Sequence, residues 1–335
     1  MTTSSTNTRS AVNGARATER WVSEEHPGGP PVEFPVAEFR GADDGPFVAI
    51  VAGMHAGEYA GILAAGQLVQ SLGRLIRRGR VLVIPVLSVQ AFLQRNMQLS
   101  PIDQREVHYV WPGDPSSSYS AHLVDALYRT VKGADATLDL HAGEFTQELT
   151  PYVCVPWIGD GALWDRCLEL ARCFDVPFVV KRVITDTPHG LPHALLDDGT
   201  PNIWTEIGRN GLPELEMVQL QRDGCLNVLR LLGAIDGEAE QRAPRMVGPG
   251  QWSVHADQTG IWIPGVKAGQ SVREGQRLGE MTNLFGKTIQ TFEAPVDAIV
   301  QYVCTACAIN TDRQLYGNRW HQHLVQLGED PARPA

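Results

Sequence analysis

From about residue 46 to residue 235 the chain alternates short apolar runs with stretches of helical period, and this alternation restricts the fold more than any other feature. "PFVAIVAG" reads as a buried strand. "EYAGILAAGQLVQSLGRLI" follows as a helix with Ile62, Leu63, Leu68, Val69, Leu72 and Ile76 on one face. "RVLVIPVLS" is a second strand, "SAHLVDALYRTV" a helix, and "ATLDLH" a strand again. "TPYVCVPW", "LWDRCLELARCF", "PFVVKRV" and "NIWTEIG" continue the series, and "PELEMVQLQRDGCLNVLRLLGAI" closes it as a long helix. Strands buried on both faces and separated by helices predict a mostly parallel sheet in an α/β domain.

The texture changes after residue 235. "DGEAEQRAPRMVGPG" at 236–250 is charged and rich in Gly and Pro, and reads as a linker. Beyond it, short alternating strands broken by Gly turns, without helical period, predict a small all-β unit over 250–330. At the other end "MTTSSTNTRSAVNGAR" lacks an apolar h-region, so residues 1–20 are expected to be a polar, disordered tail rather than a signal peptide. The α/β domain is then expected over 21–240.

Net charge decides what such a molecule meets. At −10 it disfavours a phosphate-backbone partner, which needs clustered positive charge, and "RLIRRGR" at 74–80 reads as the solvated end of a helix. No apolar stretch is long enough to cross a bilayer. The six cysteines lie in mostly apolar surroundings, which suits reduced thiols and a cytoplasmic location. Cys304 and Cys307 form a single CxxC with no second pair, and read as structural thiols of a strand.

The tetrapeptide His-Ala-Gly-Glu occurs twice, in "AIVAGMHAGEYAG" and in "TLDLHAGEFTQ", each time just after an apolar run. In an open parallel sheet, ligands bind at the carboxyl ends of the strands. His55, Glu58 and His141 all fall there, and Glu206 in "NIWTEIG" ends a later strand. As strand turns to helix, positions i and i+3 face the same way, so His55 and Glu58 can grip one ion. Gly57 permits the tight turn. A catalytic zinc takes three protein ligands and keeps one open position. His55, Glu58 and His141 fill that requirement and leave Glu206 as a base. Asp139, two residues before His141, can orient that histidine, or can cap a backbone group at the strand end.

The segments "GMHAGEYAG", "PID…WPGDP", "DLHAGE…LTPYV" and "TEIGRNG" together resemble the succinylglutamate desuccinylase/aspartoacylase family, over roughly 45–325. The resemblance implies a zinc-carboxypeptidase-like α/β fold, one Zn²⁺ per chain, and a trailing β unit of barrel-sandwich type. It maps the metal ligands onto His55, Glu58 and His141 and the catalytic glutamate onto Glu206, so the two HAGE copies would serve one site. Glu144 is then not a ligand, and faces either the substrate pocket or solvent.

Where this chain departs from the family, the substrate is affected more than the chemistry. The family's Asn-Arg pair, which holds a substrate carboxylate, is replaced by His108 and Tyr109, and a Trp (Trp111) stands for the Phe of the Phe-Pro-Gly turn. A phenol and an imidazole cannot form the always-charged bidentate clamp of a guanidinium. The family's oxyanion arginine aligns with Met97; Arg95 is the nearest replacement and Arg105 another. The segment 183–202 reads as a loop whose His189 and His193 could reach substrate, and whose Asp197 and Asp198 could attract a cationic amine if it folds inward.

The expected activity is zinc-dependent hydrolysis of the amide of a small N-acyl amino acid or N-acyl amine, with Glu206 as general base and acid and with Arg95 or Tyr109 at the oxyanion. The alternatives are a non-catalytic metal- or small-molecule-binding relative and a carboxypeptidase. A small-molecule substrate is the one partner expected, with no nucleic acid and no membrane; a homo-oligomer stays open.

Overall fold

The computed structural model describes residues 7–10, 14–96, 98–184, 190–248, 251–311 and 323–329. The chain begins with three strands, β1 (Asn7–Ser10), β2 (Arg16–Glu24) and β3 (Val32–Arg40). Residues 7–10 and 16–20 were expected in a disordered tail, yet they pair antiparallel with each other, and β2 pairs along its length with β3. β2 has only exposed and half-buried positions, with charged residues at both. Its composition therefore resembles a tail although its backbone bonds are satisfied by a neighbour.

The α/β part follows the expected alternation: β4 (Asp43–Ala52), α1 (Tyr59–Leu75), β5 (Arg78–Ile84), α2 (Val89–Gln94), α3 (Tyr119–Val131), β6 (Ala136–His141), β7 (Gln147–Leu149), β8 (Tyr152–Trp157), α4 (Ala162–Ala171), β9 (Phe178–Val183), α5 (Gly190–Asp197), β10 (Asn202–Glu206) and α6 (Leu215–Leu231). The segment 183–202 is thus not a plain loop, since α5 lies within it. A further strand, β11 (Arg245–Val247), sits inside the expected linker and pairs parallel with β9. The main sheet has ten strands in the order β1-β2-β3-β5-β4-β6-β10-β8-β9-β11. It is mixed: β5, β4, β6 and β10 run parallel at its centre, while β3 and β8 are antiparallel to their central neighbours.

The remaining strands are β12 (Gln251–His255), β13 (Gly260–Pro264), β14 (Ser271–Val272), β15 (Arg277–Thr282), β16 (Thr288–Glu293), β17 (Ala298–Cys304), β18 (Ala308–Ile309) and β19 (His323–Glu329). They form two antiparallel sheets, β12-β19-β17-β14 and β16-β15-β13-β18. Between the sheets Trp262 is fully buried, with its indole N–H donating to the Cys304 carbonyl at 3.0 Å. β7 leaves the α/β part and pairs antiparallel with β17, so Leu149 lies opposite Tyr302. All six cysteines are free thiols; Cys304 is buried in β17 and Cys307 is exposed. Among the described residues, no helix is long and apolar enough to cross a membrane.

The basic run 74–80 is tied down at its end. Arg77 Nε and Arg78 Nη1 reach the Asp236 carboxylate at 3.0 and 3.2 Å, joining the start of β5 to the segment after α6.

Helix α1 lies close against β6. A Cβ placed on Gly61 would stand 2.6 Å from the Leu140 carbonyl oxygen, next to His141. Gly to Ala in a helix interior ordinarily gains about 0.8–1.0 kcal/mol. Here the clash with backbone outweighs that gain, and Gly61→Ala is expected to destabilise the protein by about 1–3 kcal/mol. Urea denaturation checks this; a stabilised variant would mean that the helix and strand are not held at that spacing.

Candidate active site

The central parallel strands end side by side, and this is what assembles the site. β4 is wholly buried from Val48 to Ala52 and delivers the chain into "GMH" through Gly53, at φ 66°. Three residues after His55, Glu58 occupies the position before α1, where its side chain makes no capping bond. Its carboxylate turns inward to the two histidines. On β6, paired with β4 through Ala52 and Leu140, His141 is the last residue. On β10, Glu206 is the last residue and stands directly opposite His141.

The distances are short. His55 Nδ1 lies 2.9 Å from Glu58 Oε1, and His141 Nδ1 lies 3.0 Å from Glu58 Oε2. The far nitrogens meet carboxylates too: His55 Nε2 is 3.2 Å from Glu106 Oε1, and His141 Nε2 is 3.1 Å from Asp139 Oδ2. Glu58, His141, Asp139 and Glu106 are all buried. The candidate ligand atoms of His55, Glu58 and His141 fall within 4.8 Å of one another. Despite its distance from His141, Glu58 Oε2 has no aligned hydrogen-bond donor. Atoms that converge on a common point without aiming at each other suit a cation placed between them. Two imidazoles and a carboxylate are also the donor set a divalent zinc accepts. The residues therefore fit such an ion, with Asp139 and Glu106 holding the histidines from behind.

Electrostatics follows from burial. Glu58 is held down to about 2 by the two histidines, chiefly His141, against the burial that would raise it. Both histidines are pushed well above their ordinary range, because the adjoining carboxylates outweigh burial. Burial lifts Glu206 to about 8, partly opposed by His141, and lowers His108 to about 4. Each of these groups sits where solvent cannot stabilise its charge, so neighbours decide its proton.

A buried polar network fixes the end of β6. Thr205 Oγ1 accepts from the His141 amide at 3.2 Å and donates to Gln221 Oε1 at 2.9 Å. Gln221, fully buried on α6, donates from Nε2 to the His141 and Ile207 carbonyls at 3.1 and 2.9 Å. Helix α6 thereby fixes the end of the strand that carries His141.

Over these groups lies a cavity of about 380 Å³, lined by His55, Glu58, His141 and Glu206, and also by Tyr109 and His108. Those six sequence-derived residues share one cavity wall. Others do not. Arg95 caps α2 in the left-handed region at φ 57°, is exposed, and is absent from the lining; the segment that carries it turns outward. Arg105 is likewise exposed and outside the lining. Glu144 is neither solvent-facing nor on the cavity wall: it is buried beside Gly57, and burial raises its carboxyl to about 8. Asp198 accepts from the Tyr128 hydroxyl and lies 3.6 Å from Lys132, so it serves the α3 side and not the cavity. His189 and Met97 fall outside the described residues.

Sequence reading missed several lining residues. Glu106 precedes His108 by two positions and was legible only as a charge. Arg182, at the end of β9, is the single guanidinium or ammonium among the described lining residues; its Nη2 lies 4.0 Å from Cys154 Sγ. Tyr302 and Gln326 from β17 and β19 also line the wall, brought in by the β7–β17 pairing; His193 of α5, which the sequence did offer as a substrate contact, lines it as well.

A mixed α/β sheet with a buried imidazole–carboxylate centre at the carboxyl ends of its central strands defines the class of protein this is. Residues 44–232 match the family model described as the succinylglutamate desuccinylase/aspartoacylase catalytic domain, and the chain belongs to that family. A curated relative from Halomonas elongata, N-alpha-acetyl-L-2,4-diaminobutyric acid deacetylase, is 26% identical over 246 residues, 72% of each chain. The crystal structure of a succinylglutamate desuccinylase/aspartoacylase from Rhodobacter sphaeroides is 25% identical with a TM-score of 0.79, covering 94% of this chain and 95% of that one. The product-bound ectoine utilization protein EutE (DoeB) from Ruegeria pomeroyi shares the fold at a TM-score of 0.83 and 19% identity, covering 98% and 100%.

Removing the support behind a ligand separates positioning from ligation. Asp139→Ala is expected to weaken metal affinity roughly 10- to 100-fold, whereas His141→Ala should abolish stoichiometric binding. Competition with a chelating dye measures both. Unchanged affinity in Asp139→Ala would make that residue a mere strand-end polar group.

Proposed function

We propose that this protein is a zinc-dependent amidohydrolase that removes the acyl group from a small N-acyl amino acid. The observation that carries this reading is the convergence of His55, Glu58 and His141 with Glu206 on one cavity wall, contributed by three adjacent strand ends. His55, Glu58 and His141 would hold the ion. When bound, zinc supplies Lewis acidity, which acidifies a water and polarises an amide carbonyl.

The chain's own groups do the rest. Glu206 borders the cavity beside His141, where burial gives it a proton affinity far above that of a solvated carboxylate. A carboxylate of that kind can take a proton from the attacking water and return it to the departing amine. Asp139 and Glu106 keep the two imidazoles in the tautomer and orientation a cation requires. Tyr109, half exposed at the cavity wall, would donate its hydroxyl to the developing oxyanion, whereas Arg95 lies outside the lining. Arg182 supplies the planar donor that the Asn-Arg position lacks, so a free carboxylate on the substrate has a partner on the β9 side. This favours an N-acyl amino acid over a simple N-acyl amine. The activity named for the Halomonas relative makes Nα-acetyl-L-2,4-diaminobutyrate the first substrate to assay.

Glu206→Gln preserves shape and removes the base. It is expected to lower kcat by roughly 10²- to 10⁴-fold while bound metal stays near one per chain. Amine release from the acetylated substrate, measured beside metal content, tests this. Wild-type turnover in Glu206→Gln would exclude the assignment.

A further inference from the structure

Apart from the cavity, a groove of about 780 Å³ lies between α1 and α6. The inner faces of these helices share one core through Leu68, Leu72, Val228 and Leu229. Their outer faces are open. Leu63 of α1 is 43% exposed and Leu215, the first residue of α6, is 62% exposed; both line the groove. Tyr59, one helical turn before Leu63, continues the apolar strip, its ring meeting Phe92 and Phe145 edge-on at 6.0 and 5.5 Å. Leu93, beside Phe92, is 70% exposed, and Leu212, three residues before Leu215, is 46% exposed. Exposed leucines gathered in this way differ from the scattered apolar residues of an ordinary surface.

Gly66 is an independent sign. It lies in the middle of α1 and lines the groove, and a Cβ added there would meet no atom within 4 Å. Glycine inside a helix is less favourable than alanine, because it loses more backbone freedom on folding. At Gly61 the nearby Leu140 carbonyl accounts for the missing side chain; at Gly66 no neighbour within the described chain does. A bare backbone on an open helix face suits the close approach of another helix. The charge of the groove then selects what approaches. Arg222 is the one charged residue among its described lining residues; Asp223 Oδ1 lies 2.6 Å from its Nη2, and its Nη1 donates to Gln67 at 3.1 Å. Glu214, beside Leu215, is likewise met by Arg209 at 3.2 Å. These pairs leave the groove near neutrality in a chain of net charge −10. A two-fold contact sets each group near its own copy, so a face of one sign would repel itself and a paired face does not. A basic partner, drawn to the rest of the surface, gains nothing here.

We propose that the α1–α6 face is a two-fold interface with a second copy of this chain, a proposal independent of the deacylase reading. The leucines that wall the groove, Leu63 on α1 and Leu215 on α6, are the parts that fill the groove of the mate. Two helix pairs then stack as a four-helix layer, with Gly66 at the closest approach. The groove and its aromatic extension approach the roughly 20–30 residues a side of a standard interface, which buries about 800 Å² per partner. Glu58 precedes α1 and Gln221 of α6 holds the His141 carbonyl, so the contact backs onto the two helices that fix the site.

Analytical ultracentrifugation of the full-length protein over a wide range of concentration tests this. Wild type is expected to show a monomer–dimer equilibrium. Leu63→Arg combined with Leu215→Arg should weaken the dimer at least about 30-fold, since both place charge at the centre of the contact. Both positions are exposed, so the monomer keeps its fold, checked by its circular dichroism and urea midpoint. Phe285→Arg is the control: Phe285 is 96% exposed on the turn between β15 and β16, and the dimer should not respond to its loss. Gly66→Ala should weaken the dimer at least about fivefold by overpacking. In the monomeric Leu63→Arg/Leu215→Arg background the same substitution should raise the urea midpoint. A packing role within one chain cannot produce those opposite signs. A monomer at every concentration, which would leave the face to a different partner, would overturn the proposal. So would a dimer that survives both arginines, one that is lost on Phe285→Arg instead, or a Gly66→Ala that leaves association unchanged or lowers the midpoint.

Discussion

The site depends on a cluster of charges that the sheet interior cannot solvate. Glu106, His55, Glu58, His141 and Asp139 stand in a row in which every imidazole touches a carboxylate on each side, at 2.9–3.2 Å. A lone buried carboxylate is prohibitively unfavourable, and three of them are tolerated here only because positive charge is interleaved. Protons on the histidines can supply that charge, and so can a cation between Glu58 and the two rings. The surrounding structure serves to keep these groups from relaxing apart. Gln221 and Thr205 pin β6 to β10, and the close approach of Gly61 pins α1 to β6.

Much of this was legible because strand ends are written locally. An apolar run followed by Gly-Met-His or by Asp-Leu-His announces both where the strand stops and what it offers there. The central helices were equally plain from their one-sided apolar spacing. β1 and β2 were not, since strands at the rim of the sheet with few buried positions carry many charged residues and resemble a solvated segment. The extent of α5 was hidden by its position between polar, Pro- and Gly-containing residues, which as a string suggest only a loop.

The substrate side of the cavity was harder to read for a related reason. His108 and Tyr109 could be found by what they replace, but Glu106 meets His55 from 51 positions further along the chain, and no spacing rule expresses that. Arg182 lies near the end of a strand that looked merely structural, between β8 and β11 in the sheet. Tyr302 and Gln326 are more than 90 residues from any other lining residue, so only the three-dimensional pairing of β7 with β17 delivers them. Arg95, near the right place in the chain, sits on a helix cap, exposed and outside the cavity lining.

That β7–β17 ladder has a consequence for anyone wishing to cut the molecule in two. Only five residues separate His141 from the first residue of β7, so the small sheets hang almost directly from the strand that ends in His141. A fragment ending near residue 240 would leave β7 unzipped, and a fragment beginning near 250 would present the naked rim of β17, an open template for unwanted strand addition. The two parts are better regarded as one machine with a welded joint than as modules to be swapped.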